Sequence, residues 1–390
     1  MVGTGCNETL CPAGRDFSLE HPKKCSSAGD IPREIYVWFF QYVIARSLYS
    51  TIGYKHIPHL SHGVYFLNMV RTTVGVLRGG TSGEYDLSLK TGAAVLNALP
   101  DETYQTRDIF IDKRGYWHLR GVPVTATRAL SQVDVVVNAL HGGVGEDGSV
   151  QRILEQAGVP YTGARPLAAH QSLNKARAYE IFKKAGIRIP QTIVFSVDDA
   201  LSTGEMAEMV FAEIAPPYVV KPAGEGASRG IEIAMSFSDL PDTLGDVLDA
   251  FGTVIVQHYI SGREATVGVI EDFRGQELYV LPPAEVIIPD GSIFVESTHH
   301  DNALLRHNVP STFGIKEKEA LMTLARLAHR ALELSHFSRA DFIVTPSAAY
   351  LLEVNAIPGL YQGAAFPAML ESVGSSVREF IEHSISLART

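Results

Sequence analysis

The sequence predicts an α/β protein with a largely parallel sheet, on three observations. Short apolar runs alternate with segments of helical periodicity from Thr73 onward. Two glycine-rich turns each follow an apolar run and open a helical pattern, an arrangement that forms crevices at the carboxyl edge of such sheets. With 390 residues, 46% of them hydrophobic, the chain is long enough for two or three domains with buried cores.

In chain order, Val74 to Leu77 is the first strand and ends in Arg78-Gly-Gly-Thr-Ser-Gly-Glu84, and Leu87 to Leu99 carries apolar residues at helical spacing. Val133 to Leu140 is an apolar strand closed by His141-Gly-Gly-Val-Gly-Glu-Asp-Gly148, followed by a helix over Val150 to Ala157. Ser172 to Ala185 reads as one helical segment with Lys175 in its first turn, broken at Ile187 to Pro190. A βαβ-like stretch comes next: strand Ile193 to Phe195, helix Ala200 to Glu213, strand Tyr218 to Pro222. The loop Gly224-Glu-Gly-Ala-Ser-Arg-Gly230 leads into a further strand, which excludes the usual phosphate-binding loop with its following helix. Strands at Val254 to Gln257 and Ala265 to Ile270, a helix near Glu317 to Leu334 and an apolar run from Leu351 complete the pattern.

A net charge of −10 argues against nucleic acid as the main partner, since a phosphate backbone requires a basic surface. The three cysteines, Cys6, Cys11 and Cys25, form no zinc spacing, and the body of the chain has none, which fits a reducing cytoplasm. The apolar run Ile35 to Ala45 is shorter than the roughly 20 residues that span a bilayer, so no stable membrane insertion is expected. Residues 1–68 read as an extension, or as an upstream misreading of a start at Met69.

Chemistry concentrates in three places. Glu353 and Asn355 stand two residues apart on one strand and therefore share a face. With Asp341 they offer hard oxygen donors suited to Mg²⁺ on nucleotide phosphates. Lys221 ends a strand just before the 224–230 loop, so its ammonium and the loop's backbone N–H groups can meet a triphosphate, with the Ser228 hydroxyl nearby. Backbone groups from Gln257 through His258 and Tyr259 to Ile260 can meet an adenine edge, and Glu264 can accept ribose hydroxyls.

Taken together in order, Gly79-Gly-Thr-Ser-Gly-Glu84, His141 to Gly148, Pro160-Tyr-Thr-Gly163, Asn174-Lys175, Val220-Lys-Pro222, Glu225-Gly226, Ser261-Gly-Arg-Glu264, Arg339-Ala-Asp341, Leu352-Glu-Val-Asn355 and Pro358-Gly359 resemble the D-alanine:D-alanine ligases of the ATP-grasp superfamily. That resemblance, running from about Val74 to Leu387, implies an N-terminal parallel-sheet (pre-ATP-grasp) domain over 69–165, a small ATP-grasp subdomain over 166–258 and a C-terminal ATP-grasp domain over 259–390. It implies that Lys175, Lys221, Glu225, Gly226, Ser228, the 257–260 backbone and Glu264 bind ATP. Asp341, Glu353 and Asn355 would hold two Mg²⁺ ions, with Mn²⁺ as a substitute. Glu84 and His141 would receive the first D-alanine, and Arg339 with the Gly359 N–H would stabilise charge on its carboxylate. Glu84, Ser228, Arg339 and Gly359 make up the implied catalytic set, in a cytoplasmic homodimer serving peptidoglycan synthesis.

The sequence departs from that pattern around the second substrate. Ala227 stands where the family carries a serine whose hydroxyl helps orient the first-site glutamate, Ala364 and Ala365 replace its serine and leucine, and Gln257 replaces an acidic residue. The lid reads Ser297-Thr-His-His-Asp301, and histidines there are also found in depsipeptide ligases of the family, which leaves D-alanine:D-lactate ligation as an alternative. A nucleotide-binding protein without catalysis is the further alternative.

Overall fold

The computed structural model describes residues 71–287 and 306–390. The extension and the lid residues Ser297 to Asp301 lie outside them. The chain divides into Met1–Leu67 and Asn68–Thr390, and every element below belongs to the second unit.

The first sheet is built from β1 (Thr72–Gly79), α1 (Tyr85–Ala98), β2 (Tyr104–Ile111), β3 (Trp117–Leu119), β4 (Val122–Val124), α2 (Ala126–Leu130) and β5 (Val135–Asn138). Its order is β4-β3-β2-β1-β5, and β1 is parallel to both neighbours, with Val74 opposite Thr106 on one side and Val135 on the other. Val74, Val76, Val135 and Val137 are buried, as parallel strands covered on both faces require.

Next come α3 (Ser149–Gln156), α4 (Pro166–Leu173) and α5 (Lys175–Lys184). The single helix expected over Ser172 to Ala185 is therefore two. Asn174 takes an extended backbone conformation and its side chain accepts from the Arg177 N–H at 3.1 Å, so it ends α4 and caps α5. This break places Lys175 at the first position of a new helix.

The second sheet contains β6 (Thr192–Ser196), α6 (Thr203–Glu213), β7 (Tyr218–Pro222), β8 (Glu232–Ala234), α7 (Leu240–Phe251) and β9 (Thr253–His258), in the order β6-β9-β7-β8. β6 and β7 are not neighbours: β9 inserts between them, antiparallel to both. Met206, Val210, Leu244 and Leu248 of the two helices pack on Tyr218, Val220, Val254 and Val256.

The third sheet comprises β10 (Arg263–Phe273), β11 (Gln276–Val280), β12 (Ala284–Ile287), β13 (Arg306–Asn308), β14 (Phe337–Val344) and β15 (Ala349–Asn355), ordered β13-β12-β10-β14-β15 with β11 also on β10. The helix α8 (Ile315–Ala331) covers it through Leu321, Ala325 and Ala328, while α9 (Ala365–Ser372) and α10 (Val377–Ala388) bring Phe366, Phe380 and Ile381 into the core that includes Val74 and Val76.

The expectation of a largely parallel sheet is met only in part, by the β2-β1-β5 portion of the first sheet; β3 and β4 pair antiparallel there, and the other two sheets are antiparallel throughout. Short connections impose this on β10–β11 and β14–β15, because strands joined by a tight turn can pair only antiparallel, whereas β6–β9, β7–β9 and β10–β14 pair segments distant in sequence. β14 and β15 are linked this way, by a turn in which Thr345 N donates to Ala348 O at 2.8 Å. Their pairing slips by one residue: Asp341 faces Glu353 but Phe342 faces Leu351, so Leu352 is an extra, bulged residue. Leu351 and Val354 are buried on β15, three positions apart instead of two.

Candidate active site

The β14–β15 hairpin sets four polar side chains on one face. Arg339 and Asp341 alternate along β14, Glu353 lies opposite Asp341, and Asn355 lies opposite Arg339. Asp341 sits in mid-strand, not at a segment end. Its Oδ1 accepts from Thr266 Oγ1 at 2.6 Å and from Arg339 Nε at 3.1 Å; its Oδ2 accepts from an Arg339 amine at 2.7 Å and from Asn355 Nδ2 at 2.9 Å. Asn355 Nδ2 also lies 3.5 Å from Glu353 Oε1. A carboxamide can present nitrogen or oxygen at the same point. Two carboxylates and this amide therefore fit a hard divalent cation. Among the described residues no group of three or more His, Cys, Asp or Glu side chains is placed to hold a metal, so Asn355 is needed to complete the set.

Two lysines face this hairpin. Lys175 Nζ lies 3.1 Å from Glu353 Oε2 and donates to the Glu225 carbonyl at 2.6 Å. Lys221, at the end of β7, stands over the Tyr179 ring, 5.6 Å from its centroid. Both lysines are only 6% exposed. Burial and the neighbouring Lys175 charge bring Lys221 down to about 7. Burial acts to raise the Glu353 carboxyl, yet Lys175, Lys221 and Arg339 outweigh it and hold Glu353 at about 2. Burial likewise opposes charge on Arg339, and Asp341 overcomes it, keeping the guanidinium charged.

Glu84 immediately precedes α1, without a capping hydrogen bond from its side chain, and its carboxylate lies against the 224–230 loop. A Cβ at Gly226 would collide with the Glu84 carboxylate, so only glycine lets the loop lie there. Burial, reinforced by Glu146, raises Glu84 to about 7. Beside it, His141 Nε2 is 2.7 Å from Thr91 Oγ1 and His141 Nδ1 is 3.7 Å from Glu146 Oε1, with all three residues buried. Ala227 and Ser228 both adopt left-handed backbone angles, φ 49° and 57°.

At the opposite end, Gln257, His258, Tyr259 and Ile260 follow from β9, and Glu264 stands on β10. The Gln257 amide donates to Thr192 Oγ1 at 2.9 Å, and His258 Nδ1 lies 3.3 Å from Ala215 O. Burial and the nearby Asp341 charge raise Glu264 to about 7.

Of the site residues predicted from the sequence, all except Gly226 line one cleft of about 730 Å³, which Gly359 also borders. The same cleft includes residues that the motif reading did not assign: Glu146, Thr266, Arg229, His307 and Tyr361. Glu146 lies inside the His141 to Gly148 motif and was visible there, but Thr266 and His307 come from strands whose facing cannot be known before the sheet is ordered. Burial and Arg339 lower His307 below its usual range. Ala364 and Ala365 border the cleft near it.

Comparison with known proteins matches the D-ala D-ala ligase C-terminus family over residues 181–386 and the D-ala D-ala ligase N-terminus family over residues 120–164. A D-alanine–D-alanine ligase of Desulforudis audaxviator is 34% identical over 322 residues, 82% of this chain and 99% of that protein. One from Geobacter sulfurreducens is 34% identical over 320 residues, 80% of this chain and 92% of that protein. Among solved structures, the D-alanyl-alanine synthetase A of Vibrio cholerae superposes with TM-score 0.72 at 26% identity, covering 83% of this chain and all 100% of that one. The VanG D-Ala:D-Ser ligase of Enterococcus faecalis gives TM-score 0.72 at 25% identity, covering 82% and 99%.

Proposed function

Since the chain belongs to the D-alanine–D-alanine ligase family, we propose that it joins two D-alanines into D-alanyl-D-alanine at the expense of ATP, for peptidoglycan precursors. The observation that carries this reading is the convergence of Arg339, Asp341, Glu353, Asn355, Lys175 and Lys221 on one cleft whose other end holds Glu84. Charge for handling phosphate and a carboxylate for receiving an ammonium are then within one enclosure.

Glu84 takes the ammonium of the first D-alanine, beside His141. The carboxylate oxygen of that D-alanine attacks the γ-phosphorus of ATP, and ADP leaves with the electron pair of the broken bond. Lys175 and Lys221 meet the phosphate oxygens, while the loop through Glu225, Gly226 and Ser228 covers them and keeps water from the acylphosphate. Arg339, fixed by Asp341, and the Gly359 N–H stabilise negative charge on the acyl oxygen. The second D-alanine, its ammonium having released a proton, attacks that carbonyl through its amine; the C–O bond to phosphate breaks, inorganic phosphate departs with the electron pair, and the new amide nitrogen loses its extra proton to solvent. Asp341, Glu353 and Asn355 would hold Mg²⁺, or Mn²⁺ in its place, which neutralises phosphate charge when bound. The adenine lies along Gln257 to Ile260 and the ribose at Glu264.

We assign residues 69–165 to first-substrate binding, 166–258 to the small ATP-grasp subdomain and 259–390 to the metal-holding domain. The protein acts as a cytoplasmic homodimer in this reading; among the described residues no helix is long and apolar enough to cross a membrane. The deciding experiment measures ADP release with a panel of D- and L-amino acids and D-hydroxy acids, with products identified by mass. D-Alanine alone should give ADP and the dipeptide in equal amounts. A chain that releases ADP only with other acids would overturn the assignment.

A further inference from the structure

The phosphate-covering loop and the first-substrate turn touch through two glycines, each facing a long side chain of the other segment. The Glu84 carboxylate occupies the space that a side chain at Gly226 would fill. Reciprocally, the Arg229 side chain lies over Gly83: a Cβ there would stand 3.1 Å from a terminal guanidinium nitrogen and 3.3 Å from Cδ. The guanidinium also lies 3.2 Å from Glu225 Oε2 and 5.6 Å from the centre of the Phe251 ring on α7. The covering loop, the turn and the small-subdomain helix thus all meet at Arg229.

The loop needs outside support to hold this shape. Two consecutive non-glycine residues, Ala227 and Ser228, sit in the left-handed region, which L-residues adopt only when surrounding contacts impose it. One set of contacts comes from the loop's own base, where Lys175 holds the Glu225 carbonyl. The other comes from the turn, through the Gly83–Arg229 and Glu84–Gly226 pairs.

We propose that Arg229 is a positioning residue that couples the two halves of the cleft, so that filling the first D-alanine site stabilises the closed loop over the nucleotide, and the nucleotide in turn tightens that site. The inference rests on the reading of the cleft as a nucleotide and D-alanine site. Arg229 touches neither reacting group; it acts by docking the loop on the turn that presents Glu84. Its side chain is 48% exposed and its ion pair with Glu225 is open to solvent, so it contributes little to folding.

The test is a binding cycle. The affinity for a non-hydrolysable ATP analogue with Mg²⁺ is measured with and without saturating D-alanine, in the wild type, in Arg229→Met and in Gly83→Ala. Wild type should bind the analogue at least about fivefold more tightly when D-alanine is present, a usual size for coupling between sites. Arg229→Met should cut that ratio at least about threefold while leaving the affinity without D-alanine within about twofold. Gly83→Ala, whose methyl pushes the guanidinium aside, should do the same. A wild-type ratio of one, or an unchanged ratio in both variants, overturns the inference. Dipeptide formation by the same wild-type preparation is assayed in parallel. If dipeptide forms and the ratio does not respond, only the role of Arg229 falls; if no dipeptide forms, the reading of the cleft falls with it.

Discussion

The Lys175 ammonium lies 3.1 Å from the Glu353 carboxylate, so a proposed phosphate contact and a proposed metal ligand neutralise each other within the cleft. Removing either partner leaves the other charge stranded in a buried place. Glu353→Gln and Lys175→Met should each lower unfolding free energy by roughly 2–4 kcal/mol, and the double variant by clearly less than their sum. Urea denaturation of the four proteins checks this. Glu353→Gln should also cut ADP release by at least about a hundredfold, a size typical of losing one preorganised electrostatic group; near-normal turnover would remove Glu353 from the metal site.

Lys221 is brought to about 7 by burial and by Lys175, so before ATP binds it should be largely neutral at pH 8. Phosphate oxygens favour the charged form. ATP binding at pH 8 should therefore take up close to one proton, and the KM for ATP should rise as pH climbs through 7. Calorimetry in buffers of different ionisation enthalpy measures the uptake, which Lys221→Met should abolish along with most of the affinity.

Arg339 and Asp341 bind each other, yet Asp341 also accepts from Thr266 and Asn355. Losing the guanidinium should leave the oxygen donors in place. Arg339→Ala is expected to lower kcat by about 10²–10³ while changing the KM for ATP less than about threefold. Steady-state kinetics separate the two effects, and a change confined to KM would contradict a role in charge stabilisation.

Far from the cleft, His336 Nδ1 accepts the Gly163 N–H at 3.1 Å and so must be unprotonated there. Burial lowers His336 below its ordinary 6.5, despite the Glu271 carboxylate; Arg165, His383 and His329 act in the same direction as burial. A depressed folded-state value means that this stability is present above about 6.5 and is lost as pH falls toward the folded value, because the unfolded chain takes the proton first. His336→Asn keeps an acceptor at the same place and suits the left-handed backbone at φ 67°. Its Tm should fall less than that of the wild type between pH 7 and pH 5.5, which thermal melts across that range would show.

How far the sequence could be read depended on whether a feature was local. Glycine turns after apolar strands, the Lys221 strand end and the Glu353–Asn355 spacing are short-range patterns, and they led to residues that the fold gathers into one cleft. Strand partners are not local. The insertion of β9 between β6 and β7 and the antiparallel third sheet follow from pairings between distant segments, which apolar runs alone do not specify. Thr266 illustrates the limit. In sequence it is one polar residue in an apolar strand, and only the pairing of β10 with β14 brings its hydroxyl to Asp341. The break at Asn174 is not legible in the sequence, because both flanking segments have good helix formers while the cap that separates them is a single side-chain hydrogen bond.

The bulge at Leu352 has an effect out of proportion to its size. In an uninterrupted strand, every second residue after buried Leu351 would point the same way, sending Glu353 and Asn355 into the apolar interior. One supernumerary residue rotates the remainder of the strand by half a turn, so Val354 goes inward and the two oxygen-bearing side chains emerge. The extra carbonyl it leaves is taken by the Tyr179 hydroxyl at 2.7 Å. Regular pairing with Leu352 retained would thus amount to a frameshift within the sheet, turning the proposed cation's anchors inside out without changing the identity of any of them.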